Sequence, residues 1–103
     1  KDIAILKYTE IPYSLIIKTV LETETFKKQA VKIWSESERL EFIVYLSANP
    51  GAGDVIPHAE GARKIRWTVS GSGKHGGVRV IYFNLDADVI CLVAIYKKTK
   101  KRT

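Results

Sequence analysis

Three strand-like segments follow one another in the second half of the chain, and they constrain the fold more than any other feature of the sequence. The segments are Arg63–Val69, Val78–Leu85 and Val89–Tyr96. The first alternates, with Lys64 and Arg66 on one side and Ile65 and Trp67 on the other. The last is apolar on both sides, which is typical of a central strand. Because only short turns separate them, the segments predict neighbouring antiparallel strands.

The residues before this run predict a strand and two helices. Ile16–Leu21 is rich in β-branched residues and reads as a strand. Thr23 or Thr25 can cap a first helix that runs to about Trp34, and Ser35 with Glu38 forms a capping box for a second. Asn49-Pro50-Gly51 ends the second helix, and a loop follows to Gly61. The order predicts an α+β domain, with a helical hairpin on one face of an antiparallel sheet of about four strands.

The length of 103 residues supports one core and therefore one domain. We expect this domain to cover residues 16–103 and to end in the basic tail Lys97–Thr103. Residues 1–15 read as an N-terminal extension whose role the sequence leaves open.

Composition excludes several classes of protein. The longest run without a charged residue is the twelve residues from Phe42 to Gly53, too short to span a bilayer. Cys91 is the single cysteine, so neither an internal disulfide nor a cysteine-rich zinc site can form. Lys1–Leu15 is charged throughout and has no apolar core of a signal peptide. We therefore expect a cytoplasmic protein.

The positive charge of the chain lies in its second half. Residues 1–50 hold seven Lys or Arg against seven Asp or Glu, whereas residues 51–103 hold ten against four. A local excess of cations favours a polyanionic partner, since neutralising phosphates releases counterions.

The glycine-rich turn Gly71–Gly77 contains Lys74 and His75 but does not match a nucleotide-binding loop. Position 68 is Thr where that motif needs glycine, and His75 stands where it needs Ser or Thr. Glycine can still let Lys74 and His75 approach a polyanion closely. His58 and His75 lack metal-ligand spacing, so we predict no metal site and no cofactor.

Lys64, Arg66 and Arg79 can place three cations on one side of the predicted hairpin. The plain interpretation is a solvated sheet face. The alternative is RNA cleavage, in which the 2′-hydroxyl attacks the adjacent phosphorus and cations stabilise the dianionic transition state. Lys64 is then a candidate general base, because neighbouring cations favour its neutral amine.

Other residues beside this cluster are candidates for contacts with RNA. Tyr82 and Tyr96 are either sheet residues or platforms on which bases stack. The further candidates for RNA binding are Arg63, Lys74, His75 and Lys97. Trp34, Trp67 and Cys91 are expected in the core.

Three motifs together resemble a known family. They are Gly53-Asp54-Val55-Ile56, Gly61-Ala62-Arg63-Lys64-Ile65-Arg66-Trp67 and Gly71-Ser72-Gly73-Lys74-His75-Gly76-Gly77-Val78-Arg79-Val80-Ile81-Tyr82-Phe83. This combination resembles the HigB branch of the RelE-like toxins of bacterial type II toxin–antitoxin systems, and the resemblance runs from about Ile17 to Lys98.

The resemblance implies a RelE-like fold and a ribosome-dependent, metal-independent endoribonuclease that cuts mRNA in the decoding site and so inhibits translation. By the same likeness Lys64, Arg66, Arg79 and Lys98 match the catalytic positions, with Lys74 and Tyr96 as secondary candidates. The implied partners are the ribosome, mRNA and a cognate antitoxin of helix-turn-helix type that holds the toxin in an inactive oligomer.

Two alternatives remain on the same fold: a non-enzymatic gyrase poison of the ParE-like kind, and an inactive RNA-binding module. The cations of the second and third predicted strands favour the enzyme. The residues leave the identity of the general base open.

Overall fold

The computed structural model describes residues 18–68 and 77–98. The elements are β1 (Thr19–Glu22), α1 (Glu24–Ala30), α2 (Glu36–Ala48), β2 (Asp54–Val55), β3 (Arg63–Trp67), β4 (Val78–Asp86) and β5 (Val89–Lys97). The predicted extension at residues 1–15, most of the glycine-rich turn and the tail beyond Lys98 lie outside the described residues. Within those residues, no helix has the length and apolar character needed to cross a membrane.

The strands form one sheet in the order β1-β5-β4-β3-β2, so the predicted α+β fold is confirmed and β5 has a strand on either side. Two details differ from the prediction. The sheet has five strands and is mixed, because β1 runs parallel to β5, with Val20 opposite Ile90. The additional strand is β2, whose Asp54 lies opposite Lys64 of β3 in the segment predicted as loop.

Both helices begin at the predicted capping residues. The Thr23 hydroxyl accepts the Phe26 amide at 3.0 Å, and the Ser35 hydroxyl accepts the Glu38 amide at 3.1 Å. The Glu38 carboxylate accepts the Ser35 amide at 2.8 Å, which completes the capping box. The first helix ends at Ala30 instead of Trp34, because the cap at Ser35 requires extended backbone (ψ 168°) and residues 31–34 turn to reach it.

The helices cover one face of the sheet and form the core with it. This core consists of Phe26, Ala30, Trp34, Phe42, Leu46, Ile65, Val78, Val80, Tyr82, Ile90, Leu92 and Ile95. Trp34 is buried as expected, and Trp67 packs against the core while remaining partly exposed. Cys91 is only half-buried, because Ile90 and Leu92 on either side of it take the core positions of β5.

The first helix also covers the edge of β5 where β1 has ended. The Thr23 hydroxyl donates to the Val93 carbonyl at 3.1 Å, and the Gln29 side-chain oxygen accepts the Ile95 amide at 2.9 Å. Buried backbone groups need such partners, since leaving one unpaired costs about 1–3 kcal/mol. These two side chains therefore fix the sheet whose other face carries the candidate site.

Candidate nucleic-acid interface

A row of three side chains crosses the face of the sheet that is opposite the core positions. Arg66 of β3 lies directly opposite Arg79 of β4, and Arg79 lies directly opposite Tyr96 of β5. Residues paired in this way project to the same face, and adjacent strands are about 4.8 Å apart. The Arg66–Arg79–Tyr96 row therefore spans about 10 Å.

Lys64 extends this row along β3. It lies two residues before Arg66, opposite Ile81, and therefore projects to the same face as the row. Among the described residues, the side chains of Lys64 and Arg66 form no salt bridge and no hydrogen bond, and both are exposed. We call Lys64, Arg66, Arg79 and Tyr96 the basic face. Two of its members, Arg66 and Arg79, place guanidinium groups in direct opposition.

The side chains of the two lysines at the end of β5 project to opposite sides of the sheet. Lys97 lies opposite the buried Val78, so its side chain leaves the strand on the helix side of the sheet. Lys98 continues the alternation onto the side of Tyr96, is exposed, and donates its amide to the Gly77 carbonyl at 3.3 Å. The sheet therefore places Lys98, and not Lys97, at the border of the basic face.

The structure contradicts the predicted contact between Tyr82 and RNA. It is fully buried on the helix side of the sheet and cannot stack on a base. Its hydroxyl donates to the Pro50 carbonyl at 2.8 Å and accepts the Gly53 amide at 2.9 Å. Burial raises the pKa of the Tyr82 phenol above its ordinary value of 10.0, although the Gly53 amide and the Arg63 charge oppose the shift. Tyr82 therefore holds the loop that follows α2.

Arg63 contributes to the same loop. Its guanidinium donates to the Gly53 carbonyl at 2.6 Å, and it projects to the face opposite Lys64 and Arg66. Gly53 fits closely between these groups, since a Cβ there would lie 2.9 Å from the Tyr82 ring and 3.0 Å from the Lys64 carbonyl. The resemblance included Gly53 without giving its role, which is to let the loop pass under β3 and start β2 beside Lys64.

The predictions for Lys74 and His75 lie outside the described residues. In the parts of the chain that are described, no group of three His, Cys, Asp or Glu residues could hold a metal ion. The chemistry available on the basic face is that of guanidinium and ammonium groups on rigid strands. Such groups bind phosphate oxygens and stabilise negative charge that builds on them.

The fold belongs to the class of RelE-like α+β domains, in which two helices pack on a sheet. A solved structure of the Escherichia coli toxin RelE, an arginine-to-alanine double mutant in the free state, is similar to this chain with a TM-score of 0.57. The match covers 80% of this chain and 84% of that one, at 18% sequence identity, and it establishes the shared fold. No protein-family model matches the chain.

Proposed function

We propose that this protein is a RelE-like toxin of the HigB branch, acting as a ribosome-dependent endoribonuclease that cleaves mRNA. The observation that carries the proposal is the direct opposition of Arg66 and Arg79 on an exposed sheet face, with Lys64 beside them. Guanidinium and ammonium groups placed in this way are suited to bind the oxygens of a phosphate. The fold shared with a solved toxin and the motifs around Gly53, Lys64 and Gly77 support the same assignment.

In the proposed reaction, the 2′-oxygen of the RNA attacks the adjacent phosphorus and the bond to the 5′-oxygen breaks. The 2′-hydroxyl loses its proton to a general base, and the leaving 5′-oxygen gains one. The phosphorane between these steps carries an additional negative charge, which Arg66 and Arg79 stabilise from their opposed positions. Lys64 is our candidate for the base, since it is exposed on the same face as the two arginines and lies two residues before Arg66.

The ribosome completes the proposed site. The basic face offers charge, but the described residues near it include no histidine pair that could position and deprotonate a 2′-hydroxyl. Orienting the substrate on the ribosome can supply several kcal/mol of the barrier, on the order of 7–11 kcal/mol in the best cases. We therefore expect slow cleavage of free RNA. The proposal includes a cognate antitoxin that holds the toxin inactive in the cytoplasm.

Primer extension on ribosome-bound mRNA tests this function. The wild-type chain should produce discrete cleavage sites within translated mRNA, and Arg79→Ala and Lys64→Ala should remove most of them. Lys28→Ala is the matched control, because Lys28 is an exposed cation of α1 on the opposite side of the sheet. This control should cleave as the wild type does.

The same experiment distinguishes the alternatives on this fold. Intact mRNA together with growth arrest and stalled replication would indicate a gyrase poison and overturn the ribonuclease proposal. Binding to RNA without cleavage on any ribosomal complex would indicate an inactive binding module. Rapid cleavage of free oligonucleotides would contradict the proposed dependence on the ribosome.

A further inference from the structure

A groove of about 300 Å³ lies at the outer edge of β3, next to the basic face. It exists because β2 pairs only with Arg63 and Lys64, so the edge of β3 from Ile65 to Trp67 has no strand beside it in the described chain. Its volume is at the small end of the range for ligand sites, which suits one planar group and not a folded partner.

Two aromatic rings form one wall of this groove. Tyr45 of α2 packs on Trp67 of β3 with ring centroids 5.0 Å apart and an angle of 42° between the rings. Trp67 is fixed from behind by an edge contact with the buried Phe42 at 5.2 Å. Tyr45 is 39% exposed and Trp67 is partly exposed, so the pair presents a fixed aromatic surface to solvent. Every nucleobase can stack on such a surface.

Charged residues lie along the rest of the groove. Lys64 and Arg66 line it and also belong to the basic face, so one RNA strand can place a phosphate on the cations and a neighbouring base in the groove. Asp54 also lines the groove and lies directly opposite Lys64 in the sheet. A cationic wall with an aromatic surface favours a nucleotide over an apolar peptide.

We infer that this groove, which we call the stacking groove, binds a base of the single-stranded RNA whose phosphate is held by the basic face. The inference rests on the proposed function and adds a subsite to it. Asp54 makes the subsite selective, because a carboxylate accepts hydrogen bonds and donates none. Adenine, cytosine and guanine present exocyclic amino groups to it, whereas uracil has only its N3–H, which lies between two carbonyls that face the carboxylate unfavourably. The groove should therefore disfavour uracil.

Binding of labelled RNA hexamers to the full chain at low ionic strength tests the aromatic wall. Fluorescence anisotropy should show that Tyr45→Ala weakens binding of oligo(A) by about tenfold, the effect expected for the loss of one stacked base. Val44→Ala is the matched control on the same helix, since Val44 is 59% exposed and does not line the groove. It should bind as the wild type does. Tyr45→Leu, which keeps an apolar side chain without a π face, should lose affinity as the alanine variant does.

The base preference tests Asp54 independently. The wild type should bind oligo(A) roughly tenfold more tightly than oligo(U), in the range of one base-edge contact. Asp54→Asn should reduce this ratio to about threefold or less, because an amide can also donate to the carbonyls of uracil. An unchanged ratio in Asp54→Asn would overturn the role of Asp54.

The outcomes separate this inference from the proposed function. Cleavage on ribosomes together with equal RNA affinity in Tyr45→Ala, Tyr45→Leu and Val44→Ala would overturn the stacking groove alone. Absence of both RNA binding and cleavage in the wild type would overturn the groove and the proposed function together. An apolar peptide that binds in the groove without displacing the labelled RNA would assign the groove to a protein partner. This result would also overturn the inference.

Discussion

The two faces of the sheet are built from the same strands and yet carry different kinds of side chain. On β4, Val78, Val80 and Tyr82 are fully buried against the helices, whereas Arg79 between them belongs to the basic face. One residue along the strand therefore separates a core position from a position on the basic face. We therefore expect that stability and activity can be changed separately, because a side-chain period of two assigns neighbouring residues to different environments.

The largest expected effect is on the helix-covered face. Phe42→Ala should lower the free energy of unfolding by about 3–5 kcal/mol, because it leaves a cavity among Trp34, Trp67 and the sheet. Urea unfolding measures this loss, with Val44→Ala on the exposed side of the same helix as the control. A loss below about 1 kcal/mol would mean that the core tolerates the cavity and that the contrast between the faces is weaker than we describe.

The second-largest expected effect is a loss of cleavage rate when a residue of the basic face is changed. Lys64→Ala should reduce single-turnover cleavage of ribosome-bound mRNA by about 10²–10⁴-fold, the typical contribution of a general base. Its free energy of unfolding should stay within about 0.5 kcal/mol of wild type, because the side chain is exposed and has no described ion pair. Equal losses of rate and stability would erase the distinction between the two faces.

A smaller effect is expected at the loop under β3. Tyr82→Phe should destabilise the fold by about 1–3 kcal/mol, because the buried Gly53 amide loses its acceptor. The Pro50 carbonyl retains the Asn84 side chain as a donor at 3.0 Å, which limits the loss. Thermal unfolding at neutral pH measures the change. A variant as stable as the wild type would show that the loop does not depend on this hydroxyl.

The smallest effect is the alkaline dependence of stability that arises from the same residue. The folded state raises the pKa of Tyr82, so above pH 10.0 the unfolded chain releases this proton first. The contribution is therefore complete below the unfolded pKa and is lost as pH rises through the folded one. The difference in unfolding free energy between wild type and Tyr82→Phe should shrink from pH 9 to pH 11. A difference that grows with pH would contradict the direction of the shift.

The predictable parts of the molecule are those whose signals are local. The capping box at Ser35 and Glu38 and the alternation of β3 follow from residues within a few positions of each other, and both are confirmed. The two-residue strand β2 and the parallel pairing of β1 depend on segments far apart in sequence and have no periodic signal of their own. Predicting the early end of α1 required weighing two competing local signals. The apolar residues up to Trp34 favour a longer helix, whereas the cap at Ser35 requires extended backbone.

The residues of the candidate site likewise divide into those that local sequence signals predict and those whose position depends on distant parts of the chain. Alternation along β3 already places Lys64 and Arg66 together, and the hairpin brings Arg79 opposite. The burial of Tyr82 could not be foreseen, because its hydroxyl is satisfied by Pro50 and Gly53 from a loop about thirty positions away. The Tyr45–Trp67 contact is likewise nonlocal, and each residue alone reads as an ordinary core aromatic.

In the mechanism that we propose, the basic face holds an RNA phosphate while the neighbouring 2′-oxygen attacks it. The most direct test is single-turnover cleavage of ribosome-bound mRNA that carries one 2′-deoxynucleotide at the mapped cleavage site. We predict that the wild-type protein cuts the all-ribose message, that the deoxy message stays intact at that site, and that Lys64→Ala and Arg79→Ala cut neither. Cleavage of the deoxy message at the same position, or wild-type rates in both variants, would contradict the account.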